Sequence, residues 1–403
     1  MIDLKDRRLN TFAVMKDIFM MYYMNAKMEE MNPERTKKIA WITSGGPVEP
    51  LYAMDVIPIY PENHGALIGT AKQGTMLAEV AERQGFSPDL CSYARCDFGQ
   101  IETGQSPIGG LPKPDFLVAC NNICLTVIKW YEELARRFNV PLIIIDTPFV
   151  YDELDDAAVG YVRFQMQAYI QKLETICGRK MDPARLMEVC SLSRDAVEGW
   201  KRVLRQCQHK PAPMSCFDAF THMAPIVTLR GTQQCVDYYT TLEAELVDRT
   251  SRNFGAIPEE KHRVLWDNLP VWFEMNWLST TLAERKTCMV ADTYTNAWAD
   301  NNLDFTDPVA GLARVYASIY LNLNMTQMIE KIARLADLYA VDGLVMHSNR
   351  SCKPYSFGQY DMQRLLRDRL QRPVMLLDAD MTDPRQYDRE QTLHRLDAFL
   401  ALL

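Results

Sequence analysis

Cysteine is the residue type whose placement offers the most chemistry in this sequence. There are 11 cysteines among 403 residues. The N-terminal stretch MIDLKDRRLN carries charges where a signal peptide needs an apolar run. A reducing, cytoplasmic setting is therefore expected, and a disulfide framework is not. Cys177, Cys190, Cys207, Cys216, Cys235 and Cys288, and also Cys120, read as buried apolar side chains. Three segments differ, because they set cysteine among polar residues beside predicted strand ends. They are Cys91-Ser-Tyr-Ala-Arg-Cys96, Cys120-Asn-Asn-Ile-Cys124 and His347-Ser-Asn-Arg-Ser-Cys352. Helix N-termini are expected after Cys124 and Cys352, where free amides and the positive dipole end would lower a thiol pKa. Four readings are open: packing residues near strand ends, a zinc site made of four cysteines, a disulfide, or an iron–sulfur cluster held by widely spaced thiolates. The spacings from Cys120 to Cys124 and from Cys91 to Cys96 are atypical for zinc, and spacing alone does not choose.

Other familiar chemistry is weak. Thr43-Ser-Gly-Gly46 has too few glycines for a dinucleotide fingerprint, and there is no GxxxxGK[ST] phosphate loop, no HExxH and no GxSxG. His64 and His347 lie beside predicted strand ends, where a lone histidine is more often structural than catalytic.

The elements that would position these residues read as α/β. Met15, Ile18, Phe19 and Tyr22 recur at helical spacing in an N-terminal helical segment, 1–36. Short apolar runs at 38–42, 56–60, 116–119 and 142–145 read as buried strands, with a helix from about 124 to 138 between the last two. Residues 151 to about 270 read as mostly helical. A second series follows: strands at 287–290, 344–346 and 374–377, and helices at 315–338, 359–370 and 389–403. The pattern predicts two similar open parallel-sheet domains, 37–165 and 271–403, joined by a helical region, 166–270. Ligands of such sheets sit beyond the carboxyl ends of the strands. That edge carries Ser44 and Glu49 after the first strand, Asn121 after the third, and Ser348 and Ser351 near Cys352.

Composition narrows the partners. Hydrophobic residues make up 48% and charged residues 24%, as in an ordinary globular protein. A net charge of −8 argues against nucleic acid. No uncharged apolar run reaches the ~18–20 residues needed to span a bilayer.

Gly46-Pro-Val-Glu-Pro50, Pro61-Glu-Asn-His64, Leu90-Cys-Ser-Tyr-Ala-Arg95, Ala119-Cys-Asn-Asn-Ile-Cys124 and His347-Ser-Asn-Arg-Ser-Cys-Lys-Pro-Tyr355 together resemble the benzoyl-CoA reductase / 2-hydroxyacyl-CoA dehydratase family. The similarity runs from about residue 30 to the end, and HSNRSCKPYS and CSYAR look closest to the reductase branch. The resemblance implies a 4Fe–4S cluster on three cysteines, at positions matching Cys91, Cys124 and Cys352. Cys96 and Cys120 lie close by and are not carried over. It also implies an acyl-CoA substrate, a homologous second subunit and an ATP-hydrolysing iron–sulfur activator. In the reductases an aromatic ring becomes a cyclic diene. In the dehydratases a 2-hydroxyacyl-CoA loses water by way of a ketyl radical. An aromatic acyl-CoA reductase subunit is the leading expectation. A 2-hydroxyacyl-CoA dehydratase subunit is the alternative, and an electron-relay subunit that binds no substrate is a third. On this view Glu49, His64 and His347 are candidates for proton transfer. Ser44, Asn121, Ser348 and Ser351 are candidates for hydrogen bonds to the cluster or thioester. Arg95, Arg350 and Lys353 are candidates for CoA phosphates, with Lys353 as readily a solvated charge.

Overall fold

A computed structural model describes residues 4–299, 304 and 306–403. Its eight strands form two four-stranded parallel sheets. The first contains β1 (Ile39–Ile42), β2 (Ile57–Ile59), β3 (Phe116–Cys120) and β4 (Leu142–Ile145), in the order β2-β1-β3-β4. The second contains β5 (His262–Asp267), β6 (Thr287–Asp292), β7 (Gly343–Asn349) and β8 (Val374–Ala379), in the order β6-β5-β7-β8. The two orders are the same, so the expected pair of similar open sheets is present. Every residue of β1, β3 and β6 is buried, as parallel strands covered on both faces require. In each sheet the chain first steps to one side of the opening strand and then to the other. A crevice therefore opens between the loops that follow β1 and β3, and again between those that follow β5 and β7.

Three local expectations change. β5 lies inside the stretch expected to be helical, because Arg263 interrupts its apolar run. That arginine is buried, and its guanidinium donates to the Tyr339, His209 and Cys207 carbonyls and to Glu260. Enough acceptors make a central strand tolerate the charge. The helix expected over 315–338 is two helices, Pro308–Ala317 and Met325–Leu338, separated by a short 3-10 turn. Cys91, expected beside a strand end, instead sits immediately before a helix, Ser92–Thr103.

The connecting helices Asp156–Cys177, Pro183–Gln206 and Gln233–Ser251 start where side chains of Asp155, Asp182 and Thr232 accept first-turn amides. The N-terminal helix Thr11–Met31 buries Met15, Tyr22, Tyr23 and Ala26. No helix among the described residues is long and apolar enough to cross a membrane.

The halves meet along a polar seam. Trp272 Nε1 donates to the Tyr93 hydroxyl at 2.5 Å. Arg95, nearly fully buried, donates to Glu82 at 2.6 Å and Asp383 at 2.9 Å. Gly74 lies so near the second half that a Cβ there would come 2.0 Å from the Thr382 carbonyl oxygen, so the close approach requires glycine.

Candidate functional site

A cavity of about 170 Å³ lies between the carboxyl edges of the two sheets. Loops after β1, β3, β5 and β7 all reach it, through Ser44 and Gly45, Cys124, Leu269 and Cys352 respectively. Cys91, Cys124 and Cys352 all line it. Each of the three is the residue immediately before a helix: Ser92–Thr103, Leu125–Phe138 and Lys353–Ser356. Helix starts thus face the cysteines, but they do not make the thiols acidic. Burial pushes Cys91 up to about 12, with Cys124 adding to the rise and the Ala94 and Tyr93 amides opposing it. Burial likewise raises Cys124, against the amides of Val127 and Thr126. Cys352 is raised by burial and then by Cys91 and Cys124. The expected lowering is overturned because desolvation of a buried anion outweighs a few oriented amides.

Three thiols on one cavity are the kind of donor that holds soft metal ions or iron–sulfur clusters. Among the described residues no group of three or more His, Cys, Asp or Glu side chains is already placed to hold a metal ion. The three thiols share one cavity, and its described lining includes no histidine and no fourth cysteine. Anionic sulfurs that repel one another are stabilised when cationic metal sits among them. Cys96 and Cys120 are elsewhere. Cys96 packs with Ile68 and Leu77, its sulfur 3.7 Å from the Gly74 carbonyl, and Cys120 is sealed in β3.

Glu62 is the carboxylate of this cavity among the described residues. It sits in the first turn of the helix Pro61–Thr70, directly beyond β2, where Pro61 starts the helix. The Ser44 amide donates to Oε1 at 2.9 Å, and the Tyr131 hydroxyl donates to Oε2 at 3.4 Å. Burial pushes its pKa to about 7, and these hydrogen bonds only partly oppose the rise. A buried carboxyl near neutrality can both hold and accept a proton. Sequence reasoning missed it by choosing His64 from the same Pro-Glu-Asn-His segment. The overlooked signal was proline at the helix start, which puts the next residue at the strand's carboxyl edge. Gly45 completes this wall: a Cβ there would come 2.7 Å from both Asn122 Oδ1 and Ile123 Cγ2.

A buried ion pair backs another part of the lining. Arg230 lines the cavity and donates through Nε to Glu49 at 3.2 Å and through a terminal nitrogen to the Tyr316 hydroxyl at 2.5 Å. Glu49 also accepts from Ser193 at 2.7 Å and from Tyr316 at 2.7 Å. The guanidinium lies 5.2 Å from the Trp298 ring centre, a cation–π contact. Most of the remaining lining is aromatic or aliphatic, including Trp130, Tyr294, Val315 and Tyr355.

Several predicted site residues are absent from this lining. Glu49 is committed to Arg230 and anchors the wall from behind. His64 is fully buried within its helix, and burial drives its pKa down to about 3. His347 is also fully buried; its Nδ1 lies 2.6 Å from the Leu269 carbonyl, and burial lowers its pKa to about 4. Burial disfavours the imidazolium form of both rings, and neither lines the cavity. Asn121 accepts from the Thr147 amide and hydroxyl at 2.7 and 2.8 Å and donates to Asp146, which pins the turn after β3. Ser348 lies in β7, away from the cavity lining. Ser351 donates to Asp380 at 2.5 Å and accepts from the Ser92 amide at 3.1 Å. It therefore ties the residue after Cys91 to the residue before Cys352. Of the polar candidates, Ser44 alone lines the cavity. The cations named for CoA are otherwise engaged: Arg95 in the seam, Arg350 with Asp378 at 2.5 Å, and Lys353 with the Arg350 carbonyl at 2.7 Å.

Residues 43–403 match the family model described as 2-hydroxyglutaryl-CoA dehydratase, D-component. The chain is 35% identical to the (R)-2-hydroxyisocaproyl-CoA dehydratase alpha subunit of Clostridioides difficile, over 97% of this chain and 95% of the relative. It is 32% identical to the (R)-phenyllactyl-CoA dehydratase alpha subunit of Clostridium sporogenes, over 89% and 88%. A benzoyl-CoA reductase subunit of Thauera aromatica is 27% identical, over 91% and 89%. The ordering favours the dehydratase alternative over the reductase reading drawn from the motifs. Two repeated parallel sheets, three cysteines on one cavity and these matches place the chain in the 2-hydroxyglutaryl-CoA dehydratase D-component family, among acyl-CoA dehydratase and reductase subunits.

Proposed function

We propose that this chain is the substrate-binding subunit of a 2-hydroxyacyl-CoA dehydratase. The observation that carries the reading is the meeting of three thiols and a carboxyl poised near neutrality in one largely apolar cavity. Cys91, Cys124 and Cys352 would hold a 4Fe–4S cluster. Such a cluster supplies single-electron chemistry and, with three protein ligands, an open iron that acts as a Lewis acid.

The chain's own residues do the rest. Dehydration removes a hydroxyl from C2 and a proton from C3. Glu62 holds a proton to give to the departing hydroxyl, and its carboxylate form can accept one. Ser44 orients Glu62 through its amide. The aromatic walls keep water out, which protects reactive species from side reactions. Arg230, held by Glu49 and Tyr316, places a fixed positive group on the wall for a polar atom of the substrate. An electron-relay subunit would need no such acyl-sized space beside its thiols. The relatives' names support a second, different subunit as partner. An ATP-dependent activator is part of the same reading, in keeping with the missing phosphate loop.

The test is anaerobic purification with the partner subunit, followed by iron and acid-labile sulfide assays. About four irons per chain are expected, lost in Cys91→Ala, Cys124→Ala and Cys352→Ala and kept in Cys96→Ala and Cys120→Ala. With activator and ATP, a 2-hydroxyacyl-CoA should yield the 2-enoyl-CoA. Zinc in place of iron, or conversion of benzoyl-CoA to a diene without dehydration, would overturn the proposal.

A further inference from the structure

The charges of the cavity lining decide which acyl groups it can take. Besides its thiols and phenols, and among the described residues, the lining has two ionisable side chains, Glu62 and Arg230. Ile123, Val127, Trp298, Val315, Leu321 and Met381 supply apolar surface from separate segments of the chain.

Arg230 is the cation of this lining, and its charge is already matched. Glu49 lies 3.2 Å from its Nε, and the two side chains are only 5% and 2% exposed. A terminal nitrogen donates to the Tyr316 hydroxyl. The guanidinium also lies 5.2 Å from the Trp298 ring centre and 5.7 Å from that of Tyr316. The pair is net neutral. It can donate a hydrogen bond to a neutral carbonyl oxygen, but it has no spare charge for a second carboxylate. Drawing Arg230 towards a new anion would leave Glu49 buried and uncompensated. Glu62, when ionised, has the same sign as a carboxylate and would repel one.

We infer that the acyl chain taken by this cavity is uncharged and apolar, with a branched aliphatic or aryl side chain, and that an acyl group ending in a carboxylate is rejected. This rests on the acyl-CoA reading above and names its substrate class. The physical reason is desolvation. An apolar side chain gains by leaving water for such a lining, whereas a carboxylate loses its hydration and finds no free cation in exchange. Family membership does not supply this answer, since the matching family model is itself named for a dicarboxylic acyl group.

The test compares two thioesters of equal shape, 2-hydroxy-5-methylhexanoyl-CoA and 2-hydroxyglutaryl-CoA. Their acyl ends differ as isopropyl against carboxylate. Binding is measured by calorimetry on the full-length protein with its partner subunit, without activator or ATP, so that no turnover occurs. The branched thioester should bind at least about 100-fold more tightly, the effect of one uncompensated buried charge. With activator and ATP, the ratio of kcat/KM should run the same way. Leu321→Lys adds a cation at a partly exposed place in the lining and should narrow the binding preference about tenfold. Equal binding of the two thioesters, or tighter binding of the dicarboxylic one, would overturn the inference while the acyl-CoA reading stands. A preference unchanged in folded Leu321→Lys would also overturn it, because the acyl end would then lie outside this lining. If that variant does not fold, the wild-type comparison decides. A wild type that binds neither thioester would overturn the acyl-CoA reading itself.

Discussion

Two buried glutamates have opposite fates, Glu62 in the cavity lining and Glu49 behind Arg230. Glu49 accepts from an arginine, a serine and a tyrosine, and the neighbouring guanidinium balances its charge. Glu62 has a backbone amide and a distant tyrosine hydroxyl but, among the described residues, no cation within salt-bridge reach, and burial holds its proton to about 7. The residue type is the same and both side chains are nearly inaccessible. The difference is the partner: a paired buried charge is structural, and an unpaired one becomes a proton carrier. The wall that could catalyse is therefore the one with fewer contacts.

This contrast can be broken by exchange. Glu62→Gln keeps the shape and the Ser44 contact but removes the proton. Turnover of a 2-hydroxyacyl-CoA should fall about 100- to 10,000-fold, the range of a lost general acid or base. Chemical denaturation should show no destabilisation. Turnover within a few-fold of wild type would remove Glu62 from the chemistry.

Glu49→Gln should act in the other direction. It leaves Arg230 buried without its counter-ion, a loss of about 3–5 kcal/mol of folding stability. Unfolding in denaturant would measure it, and Glu49→Gln/Arg230→Met should recover much of the loss. A mild effect from the single change would mean that the tyrosine and serine contacts, rather than the charge, hold this wall.

The smallest difference lies in pH dependence. The folded protein holds the Glu62 proton to about 7, against 4.5 for a free glutamate. Its contribution to stability is therefore complete below about 4.5 and is lost as pH rises through 7. The loss amounts to about 3 kcal/mol in total. Melts of iron-free wild type and Glu62→Gln should diverge over that window, with only the wild type losing this increment. Parallel curves would place the titration on another buried carboxyl, such as Asp97, which burial also raises to about 7.

Much of the architecture was legible in the sequence because parallel strands announce themselves locally. Runs such as Ile39–Ile42 and Leu142–Ile145 are short, apolar and bounded by turn residues, and no other element explains them as well. β5 escaped because its arginine looks polar in sequence and becomes acceptable only when distant carbonyls supply acceptors. The histidines misled for a related reason. Their position beside strand ends suggested exposure to a ligand, whereas both are sealed.

Local pattern was enough to give paired α/β sheets and to bring residues after the strands to one edge, since strand direction and helix periodicity are short-range properties. The motifs carried the family, and they singled out the three cysteines that share the cavity. They did not settle which carboxyl is near neutrality, which cations are tied up in ion pairs or which histidines are sealed. Those properties depend on what lies across from each group, and the partners come from remote segments: Arg230 for Glu49, Asp383 for Arg95, Ser351 for Ser92. Charge state in a low-dielectric interior is a property of such pairs, so it exists only after remote segments pack against each other.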